Sequence, residues 1–286
     1  MNGLIGLLLY LFLGPVVGGL ISGCDRKISA RMQGRFGPPI RQPFYDVFKL
    51  FQKERIAVNR VQDFFIFCFL IFIIFTGCLF FMGGDILLVI FALTLASIFI
   101  VLGAYSANSP FSSIGAMREL LSMMAYEPMV LITAIGFYMV TKSFNVTDIM
   151  AFDKPMILYL PGLFVGFLFI LTIKLRKSPF DLSMSHHGHQ EVVKGITTEF
   201  SGSTLAMIEI AHWYETVFLL GFVFLFFSWN SPVSYLVAGA ACILVYFLEI
   251  LIDNSFARVK WQLVLKSSWI MAAALGFTNL LILILI

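Results

Sequence analysis

Eight long apolar stretches divide this chain, and they constrain its fold more than any other feature of the sequence. They cover residues 3–23, 64–82, 86–106, 120–141, 156–173, 205–229, 233–252 and 269–286. Most are near the ~20 residues that an α-helix needs to cross a ~30 Å hydrocarbon core. Helix is the expected state because lipid offers no hydrogen-bond partners to open backbone groups.

The composition excludes the soluble and disordered classes of protein. Hydrophobic residues make up 60% of the chain and charged residues 12%, whereas soluble domains carry about 25% charged residues. We therefore predict an all-α polytopic membrane protein, built as one transmembrane domain over residues 1–286. Its core is a bundle of about eight transmembrane helices with structured cytoplasmic loops.

The basic residues are distributed very unequally between the two sides of this bundle. Four alternate loops hold seventeen of the nineteen Lys and Arg residues, and these loops are 24–63, 107–119, 174–204 and 253–268. The opposite loops hold only Lys142 and Lys154. The positive-inside rule places the basic loops in the cytoplasm and both termini outside.

The first basic loop, 24–63, contains an amphipathic pattern. Apolar residues recur at helical spacing opposite a polar face that carries Asp46, Lys49, Lys53 and Glu54. This pattern predicts a helix that lies at the membrane interface or packs under another subunit. The alternative is a simple anchor helix that rests on lipid headgroups.

Several titratable residues fall inside the apolar stretches, where a charge costs about 2.5–3.5 kcal/mol on insertion scales. Glu127 precedes Pro128, which removes a backbone hydrogen bond and favours the entry of water. Glu209, His212 and Glu215 follow one another at intervals of three residues, and Glu249 lies near a cytoplasmic end. These residues are candidate members of a proton or ion pathway. Alternatively, each acid is neutral or paired and only holds helices together.

The loop 174–204 is polar and rich in histidine. Its titratable side chains are Asp181, His186, His187, His189, Glu191 and Glu199. We expect a polar funnel that leads to the buried glutamates, since histidine titrates near neutral pH. A loop that only docks a partner is the alternative. The histidine spacing matches no standard metal site, and the four cysteines form no C-x-x-C pair, so we expect no metal or iron–sulfur cluster in this chain.

Four ordered motifs carry a resemblance to a known family. The first motif is QGRFGP at 33–38, followed by Gln42, Asp46, Lys49 and Lys53, and the second is Arg118 with YE at 126–127. The third motif combines SPFDL at 178–182, EVVKG at 191–195 and TEFSG at 198–202. The fourth is DNSFARVK at 253–260. With the eight apolar stretches they cover nearly the whole chain. The sequence resembles the membrane subunit shared by respiratory complex I, where it forms the quinone chamber, and the membrane-bound NiFe hydrogenases.

Differences within the motifs favour the hydrogenase branch. Complex I members carry acids directly after the PFDL motif, whereas here eight residues rich in histidine separate Leu182 from Glu191. This form, together with the Glu127–Pro128 pair, resembles the energy-converting hydrogenases and the related sulfane reductases. The resemblance implies a membrane anchor and ion-coupling subunit of a ferredoxin-dependent, H2-evolving complex in a prokaryotic cell membrane.

The resemblance also implies partners, cofactors and site residues. The partners would be hydrogenase large and small subunits, a ferredoxin-like iron–sulfur subunit and antiporter-like membrane subunits, besides the lipid bilayer; we expect no nucleic acid. The NiFe centre and 4Fe-4S clusters would belong to the partners, and this chain alone would catalyse nothing. Residues expected in the cytoplasmic loops or in docking are Arg31, Arg35, Asp46, Lys49, Lys53, Glu54, Arg118, Asp181, His186, His187, His189 and Arg258. In the pathway, the resemblance carries over Glu127, Glu191 and Glu199, which align with the proton-path acids of complex I. The other expected pathway residues come from their positions in the apolar stretches, and they are Glu209, His212, Glu215 and Glu249.

Two other functions stay open at the level of sequence. An equivalent subunit of a complex I-like quinone reductase would carry acids directly after the PFDL motif, and this chain does not. A sulfane reductase would differ from a hydrogenase at the metal site, which lies in another chain. A stand-alone secondary transporter would have internal repeats, and we find none. The sequence does not decide between H⁺ and Na⁺ as the coupling ion.

The distribution of basic residues predicts a definite topology. In a cysteine-free variant, a cysteine placed at Phe36 or Gly188 should react with an impermeant thiol reagent only from the cytoplasmic side of sealed vesicles. A cysteine at Lys154 should react only from the opposite side. Labelling of position 36 or 188 from outside would contradict the orientation.

Overall fold

The computed structural model describes residues 3–54, 59–180 and 195–285, and helices account for most of this part of the chain. The helices are α1 (Gly3–Met32), α2 (Gln42–Gln52), α3 (Arg60–Phe81), α4 (Ile86–Ser106), α5 (Pro110–Thr141), α6 (Val146–Met150), α7 (Pro161–Lys174), α8 (Gly202–Phe227), α9 (Pro232–Ser255), α10 (Trp261–Met271) and α11 (Thr278–Leu285). Short 3₁₀ turns occupy Met156–Leu158 and Gly195–Thr197. A π-helical stretch, Ala272–Phe277, joins α10 to α11.

The all-α polytopic membrane architecture is confirmed. Seven helices in the described part are long and apolar enough to cross a membrane, counting Trp261–Leu285 as one continuous helix. The remaining apolar stretch, at 156–173, is a short turn followed by α7. Each of the eight apolar stretches is therefore mainly helical.

Helix α7 is too short to cross the hydrocarbon core. Its 14 residues extend about 21 Å at 1.5 Å per residue, whereas the core is ~30 Å thick. The helix begins with Pro161 in its first turn, where a missing N–H costs nothing, and it ends at Lys174. Its last three residues are all buried, so the chain leaves this helix inside the bundle.

Two long helices extend beyond the apolar stretches that predict them. Helix α1 continues to Met32 and includes Arg31 in its last turn. Helix α5 begins at Pro110, ten residues before the apolar stretch, so Arg118 and Glu119 are helical rather than part of a loop. Both helices measure about 45 Å or more, which leaves room for charged residues outside the hydrocarbon core.

Contacts between distant segments define two ends of the bundle. At one end Asp85 pairs with Asn145, and the Asn230 N–H donates to the Phe152 carbonyl at 2.9 Å. We call the opposite end the basic end. Here Gln33 donates to Asn254 at 3.0 Å, and Gln62 donates to the Glu199 carbonyl at 3.2 Å. At the same end the Val259 N–H donates to the Pro179 carbonyl at 3.1 Å. The segments that hold the seventeen basic residues lead into this basic end. The cellular side that it faces stays a prediction.

An aromatic cluster fills the half of the bundle away from the basic end. Its rings come from α3, α5, α7 and α8, with centroid separations of 4.9–5.8 Å, and they belong to Phe80, Phe137, Phe167, Phe218, Phe222 and Phe226. We call this group the aromatic cluster. It is close-packed and carries no charge.

Helix α2 packs against the outside of α8 near the basic end. Val47 contacts Ala206 and Trp213, and Phe44 lies against the Trp213 ring at 5.1 Å between centroids. Phe48 is exposed on the other side. Helix α1 completes this corner, because Gly18 lies so close to the Trp213 backbone that any side chain there would overlap the carbonyl.

Candidate functional site

Three cations follow one another where α7 ends inside the bundle. Lys174 is the last residue of the helix, and Arg176 and Lys177 come directly after it. We call residues 174–177 the basic segment. Each of the three cations reaches an acid on a different long helix, which a buried charge requires.

Lys174 forms the most deeply buried ion pair. Its Nζ lies 2.9 Å from Oε1 of Glu215 on α8, and the two side chains are 6% and 7% exposed. The ammonium also donates to the Ser97 hydroxyl on α4 at 3.1 Å. On another side it lies 4.7 Å from the centre of the Tyr126 ring of α5, a favourable cation–π position.

Arg176 joins α5 to α8. Its Nη2 donates to Oε1 of Glu119 at 2.9 Å, and its Nη1 lies 2.5 Å from Nε2 of His212. An arginine guanidinium keeps its proton in proteins, and here the Glu119 carboxylate pairs with it directly. The guanidinium is therefore a permanent positive charge in this site.

The contacts of His212 identify the tautomer that fits. Nε2 accepts from Arg176, so the ring proton belongs on Nδ1, which lies 3.2 Å from Oε2 of Glu215. A neutral imidazole satisfies both neighbours at once. With this tautomer the two cations, Lys174 and Arg176, balance the two carboxylates of Glu119 and Glu215.

These contacts form one continuous chain of polar groups, which we call the charge network. It consists of Ser97, Glu119, Lys174, Arg176, His212 and Glu215 and joins α4, α5, α7 and α8. Chains of charge-assisted hydrogen bonds in a low dielectric respond strongly to any added or removed charge. Such a network is able to hold a proton and to pass a change of charge from one helix to another.

Of the expected pathway residues that lie in the described ranges, the structure brings His212 and Glu215 into contact and leaves the others apart. Glu127 is half-buried near the middle of α5 and makes no side-chain hydrogen bond to the described residues, although Lys174 lies within electrostatic range. Glu209 is half-buried on α8 and lies outside the network. Glu249 is completely buried on α9, away from the other four.

Glu199 is placed near the basic end, immediately before α8. Its carbonyl accepts a hydrogen bond from the buried Gln62 side chain of α3, and its own side chain is half-buried.

Arg118 lies on α5, one residue before Glu119 of the charge network, and is also half-buried. Arg258 is half-buried between α9 and α10. Asp181, His186, His187, His189 and Glu191 lie outside the described residues.

The docking residues expected in the first loop lie at the surface of the basic end. Arg31 stacks on the ring of Phe36, and Arg35 donates to Gln33. Lys49, Lys53 and Glu54 are exposed at the end of α2. Asp46 is held within the chain, because it accepts from Arg26 at 2.7 Å and from Gln42 at 2.9 Å. Asp46 thus ties α1 to α2.

Sequence reasoning missed most of the charge network. Hydropathy places Lys174 and Arg176 in one cytoplasmic loop and Glu119 in another, because it treats charges at the edge of an apolar stretch as exposed. A signal was present in the sequence, since Pro161 starts a helix that leaves only fourteen residues before the first cation. A helix this short ends among its neighbours, so its C-terminal charges are buried inside the bundle. Within the three described ranges, no group of three His, Cys, Asp or Glu residues could hold a metal ion.

Comparison with known proteins gives consistent results over nearly the whole chain. The NADH dehydrogenase family matches residues 5–284. Hydrogenase-4 component C of Escherichia coli (strain K12) is 27% identical over 278 residues, covering 88% of this chain and 87% of that protein. An NADH-quinone oxidoreductase subunit of Bacillus cytotoxicus is 30% identical over 319 residues, covering 99% of this chain and 93% of that protein.

A solved structure has the same fold. It is a chain of the membrane-bound sulfane sulfur reductase, described as an archaeal respiratory membrane complex. The TM-score is 0.84 at 25% sequence identity, and the match covers 98% of this chain and all of the other.

The Lys174–Glu215 pair makes a prediction about stability. Lys174→Met should leave the Glu215 carboxylate buried without its cation, at a cost of about 3–5 kcal/mol. The double variant Lys174→Met with Glu215→Gln should recover most of this loss because neither charge remains. The apparent melting temperature of the detergent-solubilised protein measures both effects. Lys154→Met, at an exposed site on the other end, is the matched control. A Lys174→Met protein that melts with the wild type would show that the pair is not formed.

Proposed function

The chain belongs to the NADH dehydrogenase family, and from this premise we propose that it anchors a peripheral redox module and couples redox chemistry to ion transport. It is a membrane subunit of a complex I-like or hydrogenase-type complex. The finer proposal is a ferredoxin-dependent, H2-evolving, ion-pumping hydrogenase. The single strongest support for the coupling role is the charge network, a chain of buried charged groups that joins α4, α5, α7 and α8.

The basic end suits a peripheral module. It carries exposed cations on α2 and in the loop after α1, with the aromatic rings of Phe36, Tyr45 and Phe48 exposed among them. Charged and aromatic residues together are typical of protein interfaces, where charges direct association and aromatic rings supply contact area. We propose that this end faces the cytoplasm of a prokaryotic cell, with both termini on the opposite side.

Redox events at the basic end would act on the charge network through the basic segment. Residue 178 and those after it lead directly from Arg176 and Lys177 towards the histidine-rich loop. A change in the charge or position of that loop would displace cations that now neutralise Glu119 and Glu215. A buried carboxylate that loses its cation takes up a proton, because an isolated buried charge is too costly.

The proposed ion path leaves this chain sideways rather than crossing it. The aromatic cluster blocks the half of the bundle beyond the charge network with uncharged rings. Glu127 lies near the middle of α5, within electrostatic range of Lys174. Met124 and Ile135, on the same face of α5, are exposed at the perimeter of the bundle. We propose that Glu127 passes protons to an adjoining antiporter-like subunit.

The hydrogenase branch is supported by the histidine-rich form of the loop and by the likeness to hydrogenase-4 component C. In this proposal the partners are hydrogenase large and small subunits and a ferredoxin-like iron–sulfur subunit. They would hold the NiFe centre and the 4Fe-4S clusters. A quinone-reducing complex is the second candidate, and the 30% identity to an NADH-quinone oxidoreductase subunit favours it. A sulfane reductase is supported by the structural neighbour.

Isolation of the intact complex tests these candidates directly. The chain should be tagged in its native cells, extracted in mild detergent, and its partners identified by mass spectrometry. We expect a large subunit with two C-x-x-C pairs that evolves H2 with reduced ferredoxin. Partners that oxidise NADH and reduce quinone would contradict the hydrogenase proposal. A chain that purifies alone and transports solute would contradict membership of any redox complex.

Glu127 gives the sharpest functional prediction. Glu127→Gln keeps the shape and hydrogen-bonding capacity of the side chain but cannot titrate. The variant complex should assemble normally and evolve H2 from an artificial donor in detergent, yet lose most ion transport per H2 in vesicles. The measurement is vesicle acidification or Na⁺ uptake per H2. Glu127→Asp should restore part of the coupling, and Asp153→Asn, at an exposed site on the far end, should change nothing. Wild-type stoichiometry in Glu127→Gln would leave this residue as a packing residue.

A further inference from the structure

Glu249 is a buried acid that the charge network does not include. It lies on α9 at 0% exposure, and neither carboxylate oxygen accepts a hydrogen bond from the described residues. The neighbouring Thr172 hydroxyl donates to the Leu168 carbonyl instead. An ionised carboxylate in this position would be strongly unfavourable unless a cation came to it.

The cation within reach is Lys177, and in this structure it is bound to another acid. Its Nζ lies 2.9 Å from Oδ2 of Asp25 on α1 and 4.8 Å from the centre of the Tyr246 ring on α9. The Tyr246 hydroxyl donates to the same Asp25 oxygen at 3.1 Å. Tyr246 is one turn of α9 from Glu249, so Lys177 lies beside the face that carries Glu249.

The backbone next to Lys177 is held against α9. The Ser178 N–H donates to Oδ1 of Asp253 on α9 at 2.8 Å, which holds the basic segment against that helix. The four-carbon stem of a lysine lets its ammonium change partners without movement of the backbone. Asp253 already accepts the Ser178 N–H through Oδ1. Glu249 accepts no hydrogen bond from the described residues, so it is the second carboxylate that would gain most from this cation.

We infer that Asp25, Lys177 and Glu249 form a two-position proton site. In the first position Lys177 pairs with Asp25, and Glu249 holds the proton. In the second position Lys177 pairs with Glu249, the Glu249 proton leaves, and Asp25 takes up one proton. Each position contains one proton on a carboxyl group, one carboxylate and one ammonium, so charge and protons balance.

This site provides a second route for protons, separate from the charge network. It shares no side chain with that network, and it connects the interior of α9 to Asp25, whose side chain is 23% exposed at the basic end of α1. The basic segment is common to both, because Lys174 and Arg176 bind the network while Lys177 binds Asp25. A displacement of this segment would act on both routes together. This role in ion coupling rests on the proposed function, but the exchange of partners does not.

Infrared spectroscopy of the purified complex tests the exchange without turnover. A protonated buried carboxyl gives a C=O stretching band well separated from that of a carboxylate. Wild type should show this band for Glu249, and Glu249→Gln should lose it. Asp25→Asn should also lose it because Lys177 then moves to Glu249. Adding Lys177→Met to Asp25→Asn should bring the band back. Asp153→Asn, far from the site, should leave the spectrum unchanged.

Two results would overturn the inference. One is a wild-type spectrum that does not change on Glu249→Gln, which would mean that Glu249 carries no proton. The other is a band that survives in Asp25→Asn, which would mean that Lys177 does not change partner. Glu249→Asp keeps a carboxyl group and should retain a shifted band, which separates loss of the proton from misfolding. A complex that shows these bands but transports no ions would refute the proposed function and leave the site in place.

Discussion

The shortness of α7 is the constraint on which the polar half of the structure depends. A helix of 14 residues ends inside the bundle and delivers three cations there. Lipid cannot solvate them, so each needs an anionic partner from a neighbouring helix. Glu215, Glu119 and Asp25 meet this need from three different helices. The acids and the short helix therefore depend on each other, and neither would be stable in the membrane alone.

Polarity and packing divide the bundle into two halves with different tasks. The half near the basic end contains the buried charges and their hydrogen bonds, and its apolar residues mainly separate them from lipid. The other half is filled mainly by interlocking phenylalanine rings, and the Tyr10 ring stacks on Phe81 beside them. Ring packing holds this half together, whereas charge-assisted hydrogen bonds hold the half near the basic end.

The apolar helices could be predicted from the sequence because the hydropathy of each helix depends only on its own residues. The one-sided distribution of Lys and Arg was equally visible for this reason. The charge network was not predictable in the same way, because its members come from positions 97 to 215 and meet only through tertiary packing. Lys174 illustrates the problem: its sequence neighbours suggest the end of a span, whereas its depth follows from the length of α7.

Only some of the titratable residues selected from the sequence belong to the charge network, and the reason is similar. His212 and Glu215 share a helical face, so their spacing correctly brings them together. Glu209 has the same spacing from His212 but stays outside the network, since only one turn of α8 faces the basic segment. An acid within an apolar stretch is a sound reason to look for a polar site. It does not say which of several acids the other helices will meet.

The position of His212 has a consequence for how many protons the site can hold at one time. The imidazole lies between a guanidinium on one nitrogen and a carboxylate on the other, and its neighbours already cancel one another in charge. A second proton on the ring would remove the lone pair that accepts from Arg176 and place two positive charges 2.5 Å apart. While Arg176 stays in place, the ring therefore holds a single proton, and the neutral imidazole bridges the guanidinium and the carboxylate.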